Sequence, residues 1–397
     1  MLKNFSMYGL PEKIEFCKSC VMSNQKPNPI IEFKNSKIER KGIQFDNGVC
    51  AACTYSEMKN KINWKEREKK LEEILSKYRK KDGYDCVVPS SGGKDSGFTA
   101  HILKYKHNMN PLTVTWAPHM YTNVGWNNLV NCSHIGGVDN LLFTPNGKLH
   151  RKLTQLAFLN LLHPFQPFIA GQKVIGPKIA AKFNIPLVIY GENTSEYGSS
   201  IEENFEPKMP ESFFSTKKED IVFGKLKISE IAEKYNFQIK DFEPYVPIEK
   251  NEIENKKIEV FHLGYFYKWD PQENFYYAAE NTGFKANSER TEGTYSKYVG
   301  IDDKFERLHF YTTLIKFGIS QASYDASQEI RNGKITRDEG IKLVQQYDSE
   351  FPKKYFNEFL DYLDIDEKKF NETIDAFRSP HLWEKKDKKW ALKNKIV

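Results

Sequence analysis

A short glycine-containing segment between a buried strand and a helix constrains this chain more than any other feature. Asp85–Pro89 (DCVVP) predicts a buried β-strand, Gly97–Lys106 predicts a helix, and Ser90–Ser96 (SSGGKDS) joins them. Gly92 and Gly93 let the backbone turn with its amides pointing inward, and these amides form an anion cradle with the N-terminus of the helix. The sequence therefore predicts a phosphate-binding loop at a strand-to-helix junction.

The side chains of this loop indicate which phosphate chemistry it serves. Lys94 adds a mobile positive charge, and Asp95 suggests that a divalent cation such as Mg²⁺ bridges the phosphates. The hydroxyl donors are Ser90, Ser91 and Ser96. A Walker A loop needs a glycine five residues before its Gly-Lys pair, where this chain has Val88. The pattern instead resembles the pyrophosphate-binding loop (PP-loop) of ATP pyrophosphatases, which hold pyrophosphate while AMP is transferred to a substrate oxygen. That resemblance implies ATP and Mg²⁺ as cofactors, with Lys94, Asp95 and Ser96 as catalytic residues.

Apolar stretches that alternate with helical stretches predict an α/β fold. We expect a parallel five-stranded sheet with helices on both faces, followed by a helical region after about Lys285. The predicted strands after the first are Leu112–Trp116, Asn140–Thr144, Leu187–Tyr190 and Val260–Phe266. The tail after Trp383 is expected to be loosely ordered.

Ligands of such sheets bind beyond the carboxyl ends of the strands. Trp116 lies at one such end, where adenine would pack, and Gly191, Glu192 and Asn193 follow another. Glu192 could bind a metal or orient the substrate, although a helix-capping acid is an equally good interpretation. These residues are expected to face the same crevice as the phosphate loop.

Two Cys-x-x-Cys pairs near the N-terminus predict a metal site. Cys17 and Cys20 form one pair, and Cys50 and Cys53 form the other, with the spacing of tetrahedral structural zinc. A redox pair and an iron–sulfur cluster are the alternatives. Of the remaining cysteines, Cys86 is expected to be a buried strand residue and Cys132 lacks a partner that would make it a nucleophile.

Length and charge limit the number of domains and the kinds of partner that this chain can have. Its 397 residues favour two or three domains, and we predict a cysteine segment over 1–63, a PP-loop domain over 64–285 and a helical substrate or partner region over 286–397. A net charge of +6 does not require a nucleic-acid partner. Neither a signal-peptide pattern nor a spanning apolar stretch is evident, so a cytoplasmic protein without membrane contact is expected.

Longer blocks, in their order along the chain, resemble the N-acetyl sugar amidotransferases of bacterial surface-glycan and flagellin-sugar pathways. These blocks are FCKSCVMSNQKPNP, GVCAAC, SSGGKDS, HPFQPFIAGQKVIGPKIA, IYGENTSEYG, LGYFYKWDP, RTEGTYSKYVGIDDKFERLHFYTTLIKFG and DASQEIRNGKITRDEG. The resemblance implies that ATP adenylates an acetamido oxygen of a nucleotide-linked sugar, and that ammonia then displaces AMP to leave an acetamidino group. It also implies a separate glutaminase and cyclase-like pair as the ammonia donor.

Polar residues within these blocks are candidates for substrate contacts. They are Asn193, Tyr197, Arg290, Tyr295, Asp302 and Asp303. Arg290 could hold a phosphate by a bidentate contact, and Asp302 and Asp303 could bind sugar hydroxyls, although each could equally form a surface or helix-cap ion pair. Gln172 and Lys173 are expected to precede a helix. Two other functions stay open, a tRNA-modifying enzyme with the same loop and a zinc-organised scaffold that has lost catalysis.

Overall fold

The computed structural model of the protein describes residues 5–198 and 206–397. A five-stranded, all-parallel sheet with the order β5-β4-β3-β6-β9 lies at its centre, which confirms the predicted fold class. Its strands are β3 (Cys86–Pro89), β4 (Pro111–Trp116), β5 (Asp139–Phe143), β6 (Leu187–Tyr190) and β9 (Glu259–His262). The first four residues of the predicted cysteine segment lie outside the described residues.

Helices cover both faces of this sheet because successive strand residues point to opposite sides. Val87 and Val188, which pair across β3 and β6, belong to the core shared with α5 (Gly147–Leu161) and α6 (Gln166–Phe183). Val88 and Ile189 belong to the opposite core, which α2 (Trp64–Tyr78) and α3 (Lys94–Tyr105) complete. Burial on both faces explains why β3 and β6 are continuously apolar in sequence. The helices of this part are α2 (Trp64–Tyr78), α3 (Lys94–Tyr105), α4 (Asn123–His134), α5 (Gly147–Leu161), α6 (Gln166–Phe183), α7 (Ile228–Tyr235), α8 (Lys250–Lys256) and α9 (Pro271–Asn281).

The cysteine segment is small and packs against the C-terminal helices. It contains β1 (Phe45–Asp46), β2 (Val49–Cys50) and α1 (Ala51–Lys59), and β1 and β2 form an antiparallel pair. The four cysteines share a buried cluster with Phe317 and Ile319. Both ends of the chain therefore contribute to one core.

The C-terminal region is helical as predicted, but its tail is ordered. Trp383–Lys386 (β10) and Lys389–Leu392 (β11) form a hairpin, and the indole of Trp383 donates to the Ile315 carbonyl at 2.8 Å. The expectation of a loose tail is therefore wrong, because a buried tryptophan anchors the hairpin. The helices are α10 (Glu306–Phe317), α11 (Gln321–Arg331), α12 (Arg337–Tyr347), α13 (Phe356–Leu363) and α14 (Glu367–Ala376).

One helix begins earlier than its sequence predicts. Helix α6 starts at Gln166, with Pro167 in its first turn, and continues through Pro177. Gln172 and Lys173 therefore lie within this helix, not before it. A short β7–β8 pair (Val222–Phe223 and Leu226–Lys227) precedes α7. Within the described residues, no helix combines the length and apolarity needed to cross a bilayer.

Candidate active site

The phosphate loop has the backbone that an anion cradle requires. Gly92 has φ +77°, and a Cβ atom there would lie 2.4 Å from the Cα of Leu129 on α4, so only glycine fits. Within the loop, the Gly92 amide donates to the Ser90 hydroxyl at 3.2 Å and the Ser91 amide to the Ser96 hydroxyl at 3.3 Å. Helix α3 begins directly after Gly93 and has no side-chain cap at its N-terminus. The positive end of the helix is thus available to an anion.

Asp95 is held by two neighbours. Its carboxylate pairs with Lys94 and accepts a hydrogen bond from the Asn274 side chain at 2.9 Å. Asn274 belongs to α9, which packs along α3. The acid is therefore fixed at the mouth of the cradle, where it can bind a cation that is bound to the phosphates.

Glu192 lies just beyond the carboxyl end of β6, on the same side as the loop. The Tyr197 hydroxyl donates to its carboxylate at 2.7 Å. Burial raises the pKa of Glu192 to about 7, and the nearby Asp95 adds to the increase. Asn193, not Glu192, caps the following 3₁₀ helix (Thr194–Tyr197), since its side chain accepts from the Ser195 amide at 3.1 Å. The helix-capping interpretation of Glu192 is therefore wrong.

A cavity of about 620 Å³ joins these groups to the C-terminal region. One wall is formed by the phosphate loop with Trp116, Lys173, Glu192 and Tyr197, and the opposite wall by residues 298–302 with α10 and α11. The two walls approach closely at Gly125, where a Cβ would lie 2.4 Å from the Asp302 Cα. The Thr122 amide, at the N-cap of α4, donates to the Asp302 carbonyl at 3.0 Å. The C-terminal region therefore completes the cavity.

The structure brings some of the predicted substrate residues to this cavity and places others elsewhere. Tyr197 and Asp302 line it. Arg290 instead forms two hydrogen bonds with Glu350, at 2.7 and 2.9 Å. Tyr295 donates to Glu329 at 2.8 Å.

Three more predicted residues are not among those that line the cavity. Asp303 accepts from the amide of His119 at 2.8 Å and its second oxygen accepts from the Phe305 amide at 2.9 Å, which fixes the loop before α10. Asn193 serves as the cap described above. Gly191 lies beneath Trp269, whose ring would be 3.0 Å from an added Cβ.

Several residues that line or support the cavity were not predicted to do so. Glu306 on α10, Gln321 and Asp325 on α11, and Asn274 behind Asp95 belong to this set. Gln321 and Asp325 are four residues apart, so a polar pair at i, i+4 on an otherwise buried helix was an available signal. No local signal points to Asn274, because its role depends on the packing of α9 against α3.

The four paired cysteines form a compact cluster. Their ligand atoms all lie within 4.8 Å of one another, with Sγ–Sγ distances of 3.8 Å for Cys17–Cys53 and 3.7 Å for Cys20–Cys50. A tetrahedron with metal–sulfur bonds of about 2.3 Å has edges of about 3.8 Å, so the arrangement fits one tetrahedral ion. A cubane iron–sulfur cluster spreads its thiolates over four iron atoms and needs larger separations. All four thiols are unbridged, which excludes the disulfide form in this structure.

Comparison with known proteins found a family similarity for the C-terminal part of the chain. The family described as "LPS biosynthesis protein WbpG-like, C-terminal domain" matches residues 292–397. These residues are similar to that domain, and we call them the WbpG-like domain. This match confirms the predicted family resemblance over those residues, and it means that the WbpG-like domain forms the wall opposite the phosphate loop.

The chain is also similar to an archaeal protein and to a solved tRNA thiolase structure. Uncharacterized protein MJ1599 of Methanocaldococcus jannaschii is 33% identical over 99 residues, which are 25% of this chain and 31% of that protein. The match therefore spans about a third of that relative's length. Among solved structures, the U34-tRNA thiolase NcsA from Methanococcus maripaludis with its 4Fe-4S cluster covers 77% of this chain and 86% of its own, at 10% identity and a TM-score of 0.26. That score is too low to bear on fold or function. The loop on its parallel sheet, facing a WbpG-like domain, indicates an ATP-utilising enzyme.

Proposed function

We propose that the chain is an ATP-dependent amidotransferase that converts an acetamido group of a nucleotide-linked sugar into an acetamidino group. The observation that carries this proposal is the single cavity between the phosphate loop and the WbpG-like domain. One wall has the features needed to hold the pyrophosphate end of ATP. The other belongs to a domain of lipopolysaccharide biosynthesis, so a glycan precursor is the expected second substrate.

The reaction that suits this site has two steps. The amide oxygen attacks the α-phosphate of ATP, which releases pyrophosphate and leaves an O-adenylated imidate. Ammonia then attacks the imidate carbon, AMP leaves with the oxygen, and the product is an amidine. Adenylation is needed because an amide oxygen is otherwise a poor leaving group.

The loop serves the first of these steps. Its backbone amides and Lys94 would stabilise the negative charge that develops on the departing pyrophosphate. Mg²⁺, which usually binds one or two carboxylates together with substrate phosphates, would be held by Asp95 and would neutralise phosphate charge. Asn274 keeps Asp95 in place for that role.

Glu192 has the position and the protonation behaviour of a group that handles protons. It lines the cavity, and its pKa of about 7 lets it exchange a proton near neutral pH. We assign it to orientation of the substrate amide or to acceptance of a proton during the ammonia step. Ammonia itself is proposed to come from a separate glutaminase and cyclase-like pair.

The cysteine cluster is assigned to structural zinc. Four buried thiolates close a tetrahedral shell and leave no position for a catalytic water. The positive charge of Arg331 lies nearby, and the thiolates raise its pKa despite its burial. The site would therefore organise the N-terminal segment and take no part in the chemistry.

Mass spectrometry of nucleotide-linked N-acetyl sugars incubated with the protein, ATP, Mg²⁺ and ammonium tests the proposal. We expect one of them to lose mass by the difference between an oxygen atom and an NH group, with AMP formed in equal amount. AMP release that tRNA stimulates and nucleotide sugars do not would reject the proposal in favour of the tRNA-modifying alternative.

A further inference from the structure

The WbpG-like wall of the cavity is rich in hydrogen-bond acceptors. Asp302, Glu306, Gln321 and Asp325 all line it. Burial raises the pKa of Glu306 to about 8, and the carboxylates of Asp302, Asp303 and Asp325 add to this against the opposing charge of Arg307. The negative charges of this wall therefore outnumber the positive charges of its own side chains.

One acceptor on this wall has no partner. Gln321 is 4% exposed, and its Nε2 donates to Asp325 at 2.5 Å, which fixes the orientation of the amide. Its Oε1 is buried and receives no hydrogen bond from the protein. A buried acceptor without a donor costs free energy, so a ligand that brings an N–H or O–H group is the physical complement.

The cations near the cavity neutralise only part of this wall. Lys94 pairs with Asp95 in the loop, and Lys173 lies 5.1 Å above the ring of Tyr190 on the sheet side. Arg307 lies 3.3 Å from Glu306 and is the charged neighbour on α10 itself. The ligand that fits is therefore a cation rather than a neutral diol.

The acids of this wall are not arranged to bind a metal ion. Among residues 5–198 and 206–397, the four cysteines alone bring three or more potential ligand atoms close enough to share one ion. The acids of this wall are spread more widely, which suits an extended cation. An amidinium group is planar and carries several N–H donors in a fork, as a guanidinium does.

We propose that Glu306 and Gln321, with the added charge of Asp302 and Asp325, form a subsite for the N–H-donating cation of the reaction. It would hold the amidinium group as it forms, and ammonium would satisfy the same acceptors as it enters. This inference rests on the proposed function for its choice of ligand, and it assigns to the WbpG-like domain the recognition of the nitrogen that the reaction adds.

Saturation-transfer NMR on the full chain, with acetamidinium chloride as the probe and acetamide as its neutral counterpart, tests this subsite. At pH 9, where Glu306 has lost its proton, we expect acetamidinium to bind and acetamide not to, and Glu306→Gln to weaken acetamidinium binding roughly tenfold, because a charge-assisted hydrogen bond is lost. Gln321→Leu, which removes the unpaired acceptor, should also weaken it. Glu358 is a half-buried acid on α13 that pairs with Lys304; Glu358→Gln is the matched control and should bind normally.

Equal binding of acetamidinium by the original protein and Glu306→Gln would overturn the inference, as would equal binding of acetamide. Displacement of acetamidinium by ammonium chloride, but not by sodium chloride, supports a shared subsite. Failure of ammonium to displace it overturns the ammonium part. Because no turnover is measured, absence of AMP formation in the sugar assay would reject the proposed function without affecting this result.

Discussion

Asp95 is the residue on which the proposed chemistry depends most. It accepts hydrogen bonds from Lys94 and Asn274 and lies at the start of α3. Asp95→Asn keeps the shape but removes the charge that Mg²⁺ needs, so AMP formation should fall by about 100-fold or more. The thermal midpoint should change little. Undiminished AMP formation in this variant, measured beside exposed Asp338→Asn as the control, would remove Asp95 from the site.

A substitution at Gly92 tests whether the backbone of the loop binds the phosphates of ATP. Gly92→Ala places a methyl group against α4 in addition to the strain of a positive φ, which by itself costs about 1–3 kcal/mol. Gly293→Ala is the matched control, since Gly293 has the same φ of +77° but nothing within 4 Å. ATP binding, measured by calorimetry, should be lost in Gly92→Ala alone. Equal loss in both variants would mean that backbone strain, not the cradle, is responsible.

The raised pKa of Glu306 predicts a pH-dependent stability. The folded protein keeps the Glu306 proton to about pH 8, whereas the unfolded chain releases it near pH 4, so this carboxyl destabilises the fold progressively as pH rises through that interval. Glu306→Gln cannot ionise, and it should therefore gain stability relative to the original protein between pH 5 and pH 9, on the order of 1 kcal/mol or more. Denaturant unfolding at both pH values measures this. A stability difference that is the same at pH 5 and pH 9 would contradict the assignment.

Among the structural elements, those with strong local signals were predictable from the sequence. The five strands follow from short apolar runs, and the capping box of Thr336 and Glu339 marks the start of α12 at Arg337. The early start of α6 was missed because Pro167, which lies in its first turn, was not recognised as marking the start of a helix. The hairpin at the C-terminus was missed because the contact that stabilises it, between Trp383 and α10, is tertiary. The basic sequence of the tail gives no local sign of it.

The candidate site was predictable to a similar degree. The loop and Glu192 were found because their position at strand ends is visible in the sequence. Arg290 was chosen for its chemistry, yet it pairs with Glu350, which lies far along the chain. Glu306 and Gln321 were overlooked because only tertiary packing brings α10 and α11 against the sheet.

The cysteine segment is connected to the candidate site through hydrogen bonds and a buried ion pair. Arg337 on α12 donates to the carbonyls of Cys17 and Cys20 at 3.3 and 3.2 Å. Lys59 at the end of α1 forms a buried ion pair of 2.6 Å with Glu196, which neighbours Tyr197. Loss of the metal should therefore disturb both α12 and the 3₁₀ helix that holds Glu192.

Metal removal tests this connection. A strong chelator should lower the thermal midpoint by about 5 °C or more, because a structural zinc contributes folding free energy. Amide exchange should rise in α1, α12 and residues 194–197, while α13, which contacts α5 instead, should be unaffected. Metal analysis should give one zinc per chain. A folded protein without metal, or exchange that rises equally everywhere, would contradict the proposed coupling.

At the scale of the whole molecule, the sheet supplies the phosphate cradle and the WbpG-like domain closes the cavity over it. Asp302 bridges the two because its carbonyl accepts a hydrogen bond from the Thr122 amide and its Cα lies close to Gly125. Neither part alone encloses the cavity, so the two proposed substrates would meet between them. This arrangement supports group transfer from ATP to a second, larger substrate.

The central claim is that ATP is cleaved between its α- and β-phosphates. The direct measurement is the identity of the nucleotide product, separated by chromatography after incubation with ATP, Mg²⁺, ammonium and nucleotide-linked N-acetyl sugars. The account predicts AMP and pyrophosphate in equal amounts. ADP and phosphate as the sole products would contradict it.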